Sequence, residues 1–149
     1  MSGGPGVMAP AGAPPGAGPA LRMSALDLAP LPTAVSSARL HARYVVTEWG
    51  FRAIARDCEL IVSELVTNGV RHAARVTGCP PVRLRLSGRA RGVQMEVWDA
   101  SSDLPRRGRD APLDEPGGWG LVLVDALADR WGAYRTEGGG KVVFAVIGR

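Results

Sequence analysis

The chain has 149 residues, 46% of them hydrophobic and 21% charged, and its 18 Lys and Arg against 14 Asp and Glu give a formal net charge of +4. That composition describes one globular domain, and no apolar run approaches the roughly 18 to 20 residues needed to cross a bilayer. Cys58 and Cys79 fall short of a disulfide framework or a four-ligand zinc site and read as free, buried thiols.

Residues 1–20 are almost entirely Gly, Ala and Pro and carry no charge, so they bury too little apolar side chain to offset chain entropy and read as a disordered tail. They lack the basic start and apolar centre of a secretory signal, so a cytoplasmic location is expected. The domain proper is then 21–149. Residues 21–28 alternate loosely up to the breaker Pro30-Leu31-Pro32, which predicts a first strand. Thr33 stands where a helix cap belongs. Val35, Ala38, Ala42, Val45, Val46 and Trp49 recur at helical spacing as far as Gly50, with His41 and Arg43 on the solvated side.

A second helix is expected from about Asp57, as cap, to Ala74, and Gly78-Cys79-Pro80-Pro81 ends it. Residues 82–86 and 93–98 read as a hairpin joined through a long turn at 87–92. Residues 100–118 lose apolar pattern and form a long loop of the kind that serves as a lid or binding loop. Helical periodicity resumes from Leu121 to Trp131, with Gly132 as its stop. Residues 133–136 and 142–147, around Gly138-Gly139-Gly140, predict a second hairpin. Two helices before one hairpin and one before another fit an α+β fold: a two-layer α/β sandwich with a largely antiparallel sheet and helices on one face.

Three segments carry chemistry. In the second helix each residue advances about 100°, so Glu64, Asn68 and His72 form one polar stripe at the margin of the apolar face of Cys58, Ile61, Val62, Leu65 and Gly69. Thr67-Asn68-Gly69 places three weak helix formers mid-helix, at a cost of about 1 to 2 kcal/mol relative to Ala. Local preference is often violated at functional sites; the alternative is that Gly69 only permits close packing and Glu64 pairs with an Arg. In the third strand Val93, Met95, Val97 and Asp99 share a face, so Asp99 continues a buried side and needs donors. The amine of adenine is one such donor, and a structural cap or an ion pair with an Arg is the other reading. Gly117-Gly118-Trp119-Gly120-Leu121 opens a helix after the long loop, and glycines with free helix-start amides suit phosphate.

In this order and spacing the segments resemble the nucleotide-binding motifs of the GHKL ATPase/kinase superfamily, in particular its anti-sigma regulatory factor serine kinases, over roughly residues 32–147. Glu64-x-x-x-Asn68 resembles the N-box, Asp99 the aspartate of the adenine box, and Gly118-Trp119-Gly120-Leu121 the second glycine box. The closing Arg130-Trp131-Gly132 and Gly140-Lys141-Val142-Val143 also resemble these regulators.

The resemblance implies ATP and Mg²⁺ as cofactors, with Asn68 on the metal, Asp99 on the adenine amine, and Gly118, Gly120 and Leu121 at the phosphates beneath a lid. Glu64 would orient and deprotonate a serine hydroxyl on a protein substrate, or a water if the enzyme merely hydrolyses ATP. The implied partners are a STAS-type anti-anti-sigma protein, a sigma factor, or both; a homodimer is compatible. The alternative is a non-catalytic regulator whose nucleotide gates protein binding.

The sequence departs from the pattern at Ser101, where the adenine box commonly has Gly, and in the last strand, which lacks the usual hydroxyl residue. His72 reads as a satisfied histidine at the core margin, and Arg106, Arg107 and Arg109 as part of a solvated loop. The arginines form no run longer than Arg106-Arg107, and only 5% of residues are aromatic. Direct nucleic-acid binding is therefore not expected.

Overall fold

The computed structural model describes residues 19–105 and 118–148, without the side chains of 118–120. The expectation for the tail thus falls almost wholly outside the described residues, as does most of the proposed lid. In chain order the elements are β1 (Arg22–Leu28), α1 (Thr33–Glu48), a 3-10 turn (Arg52–Ile54), α2 (Ala55–Ala73), β2 (Val82–Arg89), β3 (Gly92–Asp99), α3 (Gly118–Leu127), β4 (Arg130–Arg135) and β5 (Lys141–Gly148). The strands form one sheet in the order β1-β2-β3-β5-β4, every neighbouring pair antiparallel. The expected two-layer α+β architecture is what the chain adopts.

The core explains the layering. Cys58, Ile61, Val62, Leu65 and Gly69 are all buried, and the apolar stripe of α2 packs over β2 and β3 against Leu84, Leu86, Met95 and Val97. Each large aliphatic side chain removed from water contributes about 1.5 to 3 kcal/mol. The alanines of α1, Ala34, Ala38 and Ala42, are buried with Val46 and let α1 lie close beside α2. Gly50 ends α1 at φ +91°, donating to the Thr47 carbonyl at 3.0 Å while Phe51 donates to that of Val46 at 3.0 Å. These two bonds form the Schellman stop, which needs a left-handed residue at this position.

Several expectations need correction. Thr33 is the first residue of α1 and Pro32 its cap, with no side-chain capping bond. Asp57 lies inside the first turn of α2, where its charge complements the helix dipole, and Ile54 precedes the helix after the 3-10 turn. His41 is half-buried and bonds the Ser24 hydroxyl through Nε2 at 2.8 Å, so it faces β1 instead of solvent. Cys58 is buried, its thiol pushed up to about 12 by that burial, whereas Cys79 is exposed at φ +43° in the turn after α2.

Two boundaries also differ. Strands β2 and β3 extend to Arg89 and from Gly92, so only Ala90 and Arg91 join them. Trp131 and Gly132, expected to finish a helix, belong to β4. Helix α3 stops at Leu127 because the Asp129 amide pairs with the Val146 carbonyl at 2.9 Å, drawing the chain into the sheet. Trp131 still reaches back to α3, donating from Nε1 to Asp125 Oδ1 at 2.8 Å.

Candidate nucleotide site

The three weak helix formers of α2 now separate by what holds each one. The Thr67 hydroxyl donates to the Ser63 carbonyl at 2.7 Å, the usual local compensation for Thr in a helix. A Cβ on Gly69 would lie 3.0 Å from Val97 Cγ1 and 3.3 Å from Val82 Cγ1, so Gly69 is there for close helix-to-sheet packing. Asn68 has no such account. It is 5% exposed, and its Oδ1 is buried without a hydrogen-bond partner among the described residues. A buried carbonyl oxygen left unpaired typically costs about 1 to 3 kcal/mol. One turn earlier, Glu64 is half-buried and makes no hydrogen bond or ion pair among the described residues, so the expected alternative of an Arg partner is not found there.

His72, one turn past Asn68, reaches across to the sheet. Its Nδ1 lies 2.8 Å from Lys141 Nζ, which in turn donates to Asp99 Oδ1 at 2.9 Å and Oδ2 at 2.8 Å. Lys141 can only donate, so Nδ1 is the acceptor and the ring is neutral. Burial first, and the cations Lys141, Arg71 and Arg75 next, hold the imidazole down at about 4. Asp99 and Lys141 are both fully buried. Burial raises the Asp99 carboxyl and lowers the Lys141 ammonium, and each partner opposes the other's shift.

The sequence allows Asp99 to be a base-reading carboxylate, a structural cap or the partner of an Arg, and its Oδ1 does cap the following turn by accepting from the Ser101 amide. Its cation is a lysine, delivered by the next strand: Asp99 and Lys141 are register partners of β3 and β5. Gly140 makes this possible. It sits at φ +81°, and a Cβ there would overlap the Asp99 carbonyl oxygen and crowd the Trp98 indole. The sequence reading gave Lys141 no role, although a signal was present: it is the only lysine in a chain with 17 arginines, placed where an apolar strand begins.

After Asp99 the chain turns through two side-chain bonds. The Ser101 amide donates to Asp99 Oδ1 at 2.8 Å, and the Asp103 amide donates to the Ser101 hydroxyl at 3.1 Å. These Asx and Ser turns do locally what a flexible glycine would otherwise permit. Helix α3 begins at Gly118 and packs against α2, which puts the amides of residues 118–121 in its first turn. The Leu121 side chain is buried in the core, so only its backbone is available to a ligand. Arg106, Arg107, Arg109 and the Trp119 side chain lie outside the described residues.

A polar helix margin facing a strand-end carboxylate, over an antiparallel sheet, is the layout of an ATP-binding domain of the histidine kinase-like class. The family model for the histidine kinase-like ATPase domain matches residues 28–147, and the chain belongs to that family. It is similar to the serine-protein kinases RsbW of Listeria monocytogenes serotype 4a and of Listeria innocua serovar 6a. Each is 30% identical over 125 residues, covering 76% of this chain and 80% of the relative. No helix among the described residues is long and apolar enough to cross a membrane.

Proposed function

We propose that the chain is an ATP-dependent protein serine kinase that phosphorylates a STAS-type anti-anti-sigma partner and sequesters a sigma factor. The observation that carries this reading is the buried Oδ1 of Asn68, which has no partner among the described residues. A hard, neutral oxygen without a hydrogen-bond donor suits Mg²⁺. Among the described residues no three His, Cys, Asp or Glu side chains cluster as a metal site. That fits an ion held by one or two protein oxygens together with substrate phosphates. When bound, Mg²⁺ supplies charge neutralisation on the phosphate oxygens.

The chain's own residues do the rest. Asn68 would hold the metal through Oδ1, the amides of Gly118, Gly120 and Leu121 would hold phosphate oxygens at a helix start, and Asp99 would accept a hydrogen bond from the adenine amine. Glu64, half-buried and without a partner among the described residues, takes the proton from the attacking serine hydroxyl as the phosphorus–oxygen bond to it forms. ADP leaves with the electrons of the broken bond. The similarity to RsbW supports both the reaction class and the kind of partner.

The test is incubation of the full chain with γ-labelled ATP, Mg²⁺ and STAS-type partners. Label is expected on a partner serine, with Glu64→Gln slowing transfer about 10²- to 10⁴-fold while leaving ATP affinity within a few-fold. Equal transfer by that variant removes Glu64 as base. ATP binding with no phosphoprotein from any partner leaves the alternative of a nucleotide-gated binding module.

A further inference from the structure

We infer that Lys141 determines which base the site accepts: its ammonium clamps Asp99 so that the carboxylate offers one outside N–H donor a single unused lone pair on Oδ2. The inference rests on the reading above, that Asp99 faces the nucleobase.

The donor and acceptor count carries the argument. A carboxylate has about four acceptor positions. On Asp99, Oδ1 accepts from both Lys141 Nζ and the Ser101 amide, while among the described residues Oδ2 accepts from Lys141 alone. The three protons of the ammonium are taken up by Oδ1, Oδ2 and His72 Nδ1, so Lys141 has none left for a ligand. Both side chains are fully buried in the free chain, so a base must be admitted to reach Asp99, and what it then meets is one acceptor and no donor. A base with an exocyclic amine at that edge, such as adenine, matches it. A base with a carbonyl oxygen there, such as guanine, meets a negative oxygen with no hydrogen between them.

Lys141 also keeps that acceptor an acceptor. In a fully buried position a carboxyl with no adjacent cation tends to take up a proton. It would then carry an O–H able to donate to a carbonyl, and the discrimination would relax. The other groups near the pair do not substitute for the ammonium. His72 is neutral, Asp103 is negative and raises Asp99 further, and Arg71 and Arg75 act on the His72 and Lys141 side. The arrangement is built by the backbone, through the direct Asp99 to Lys141 register and the close turn at Gly140, and not by a chance rotamer.

The experiment compares binding of Mg·ATP and Mg·GTP to the full chain by calorimetry at pH 6 and pH 8, for the original protein and for Lys141→Met and Lys141→Gln, with thermal unfolding run alongside. The second substitution keeps a neutral donor should the first fail to fold. The original protein is expected to prefer ATP equally at both pH values. In a folded variant the preference should fall at least tenfold at the lower pH and recover as the pH is raised, because the proton on Asp99 comes off. A purely structural lysine would weaken both nucleotides together without that pH dependence.

An unchanged preference in a folded variant overturns the inference. So does ATP binding that tightens tenfold or more, since the ammonium would then be blocking the base. Carbon-13 NMR of the Asp99 carboxyl separates this failure from failure of the underlying reading. If removing Lys141 raises the Asp99 titration midpoint and the preference for ATP is still unchanged, the clamp exists but Asp99 does not read a base.

Discussion

Asp99 and Lys141 meet as a direct cross-strand pair, with the ammonium 2.9 and 2.8 Å from the two carboxylate oxygens and both side chains fully buried. Such a pair is a stability hazard when halved, because the remaining charge has no water and only a neutral partner, His72 for Lys141 or the Ser101 amide for Asp99. Asp99→Asn should therefore cost about 3 to 5 kcal/mol by chemical denaturation. Adding Lys141→Met should restore most of that loss, while ATP affinity stays low in both. Loss of ATP binding in the single variant alone says little about adenine, since it carries the folding defect as well. Recovery of ATP binding in the stable double variant would move the base away from Asp99.

His72 gives the fold an acid sensitivity of defined direction. Folded, the ring takes a proton only near pH 4, held down mainly by burial and then by Lys141; unfolded, it takes one near 6.5. Between those values the unfolded chain binds more protons, so stability falls as the pH drops from about 6.5 to about 4. Below that no more is lost from this residue. The contribution is on the order of 3 kcal/mol across the window. His72→Gln keeps an acceptor for Lys141 but cannot titrate. Denaturation curves at pH 7 and 4.5 should show the gap between variant and original shifting in favour of the variant at low pH; a constant gap excludes His72 as the source.

Gly69 tests how tightly α2 is seated. Ala is the better helix former by about 1 kcal/mol. Its methyl would nevertheless press on Val97 and Val82, both essentially unexposed and stiff at χ1. Overpacking of that kind typically costs about 1 to 3 kcal/mol. Gly69→Ala is expected to lower stability by about 1 kcal/mol net. A gain in unfolding midpoint would mean that the helix can lift off the sheet, and that Gly69 is not needed for packing.

Long, strongly periodic elements were legible in the sequence, and what was missed was decided by partners distant in the chain. The apolar face of α2 and the alternation in β3 stand where periodicity put them. The start of β4 does not, because Trp131 continues a helical pattern that loses to pairing of residues 130–135 with β5. The β2–β3 turn is shorter than its polar residues suggest, since Ser87 and Gly88 hold register with Gln94 and Val93. Within the site, the Glu64-Asn68-His72 stripe was visible from helical spacing alone. The role of Lys141 was not, because only the β3–β5 register brings residue 141 to residue 99.

Asn68 allows a prediction in which stability and binding move in opposite directions. Its Oδ1 is buried with no donor among the described residues, an arrangement that weakens the nucleotide-free fold. Replacing it with an apolar side chain of similar reach, Asn68→Leu, removes the unpaired oxygen and adds a better helix former. The variant should unfold at a higher temperature than the original chain, by about 1 to 3 kcal/mol of added stability without ligand. Mg²⁺-dependent ATP affinity should fall at least tenfold, and the stabilisation that Mg·ATP gives the original chain should vanish. Residues kept at a cost to the fold are the ones that function explains best. If Asn68→Leu destabilises the free protein as an ordinary core substitution would, the oxygen was not under strain, and its assignment to a metal loses its physical support.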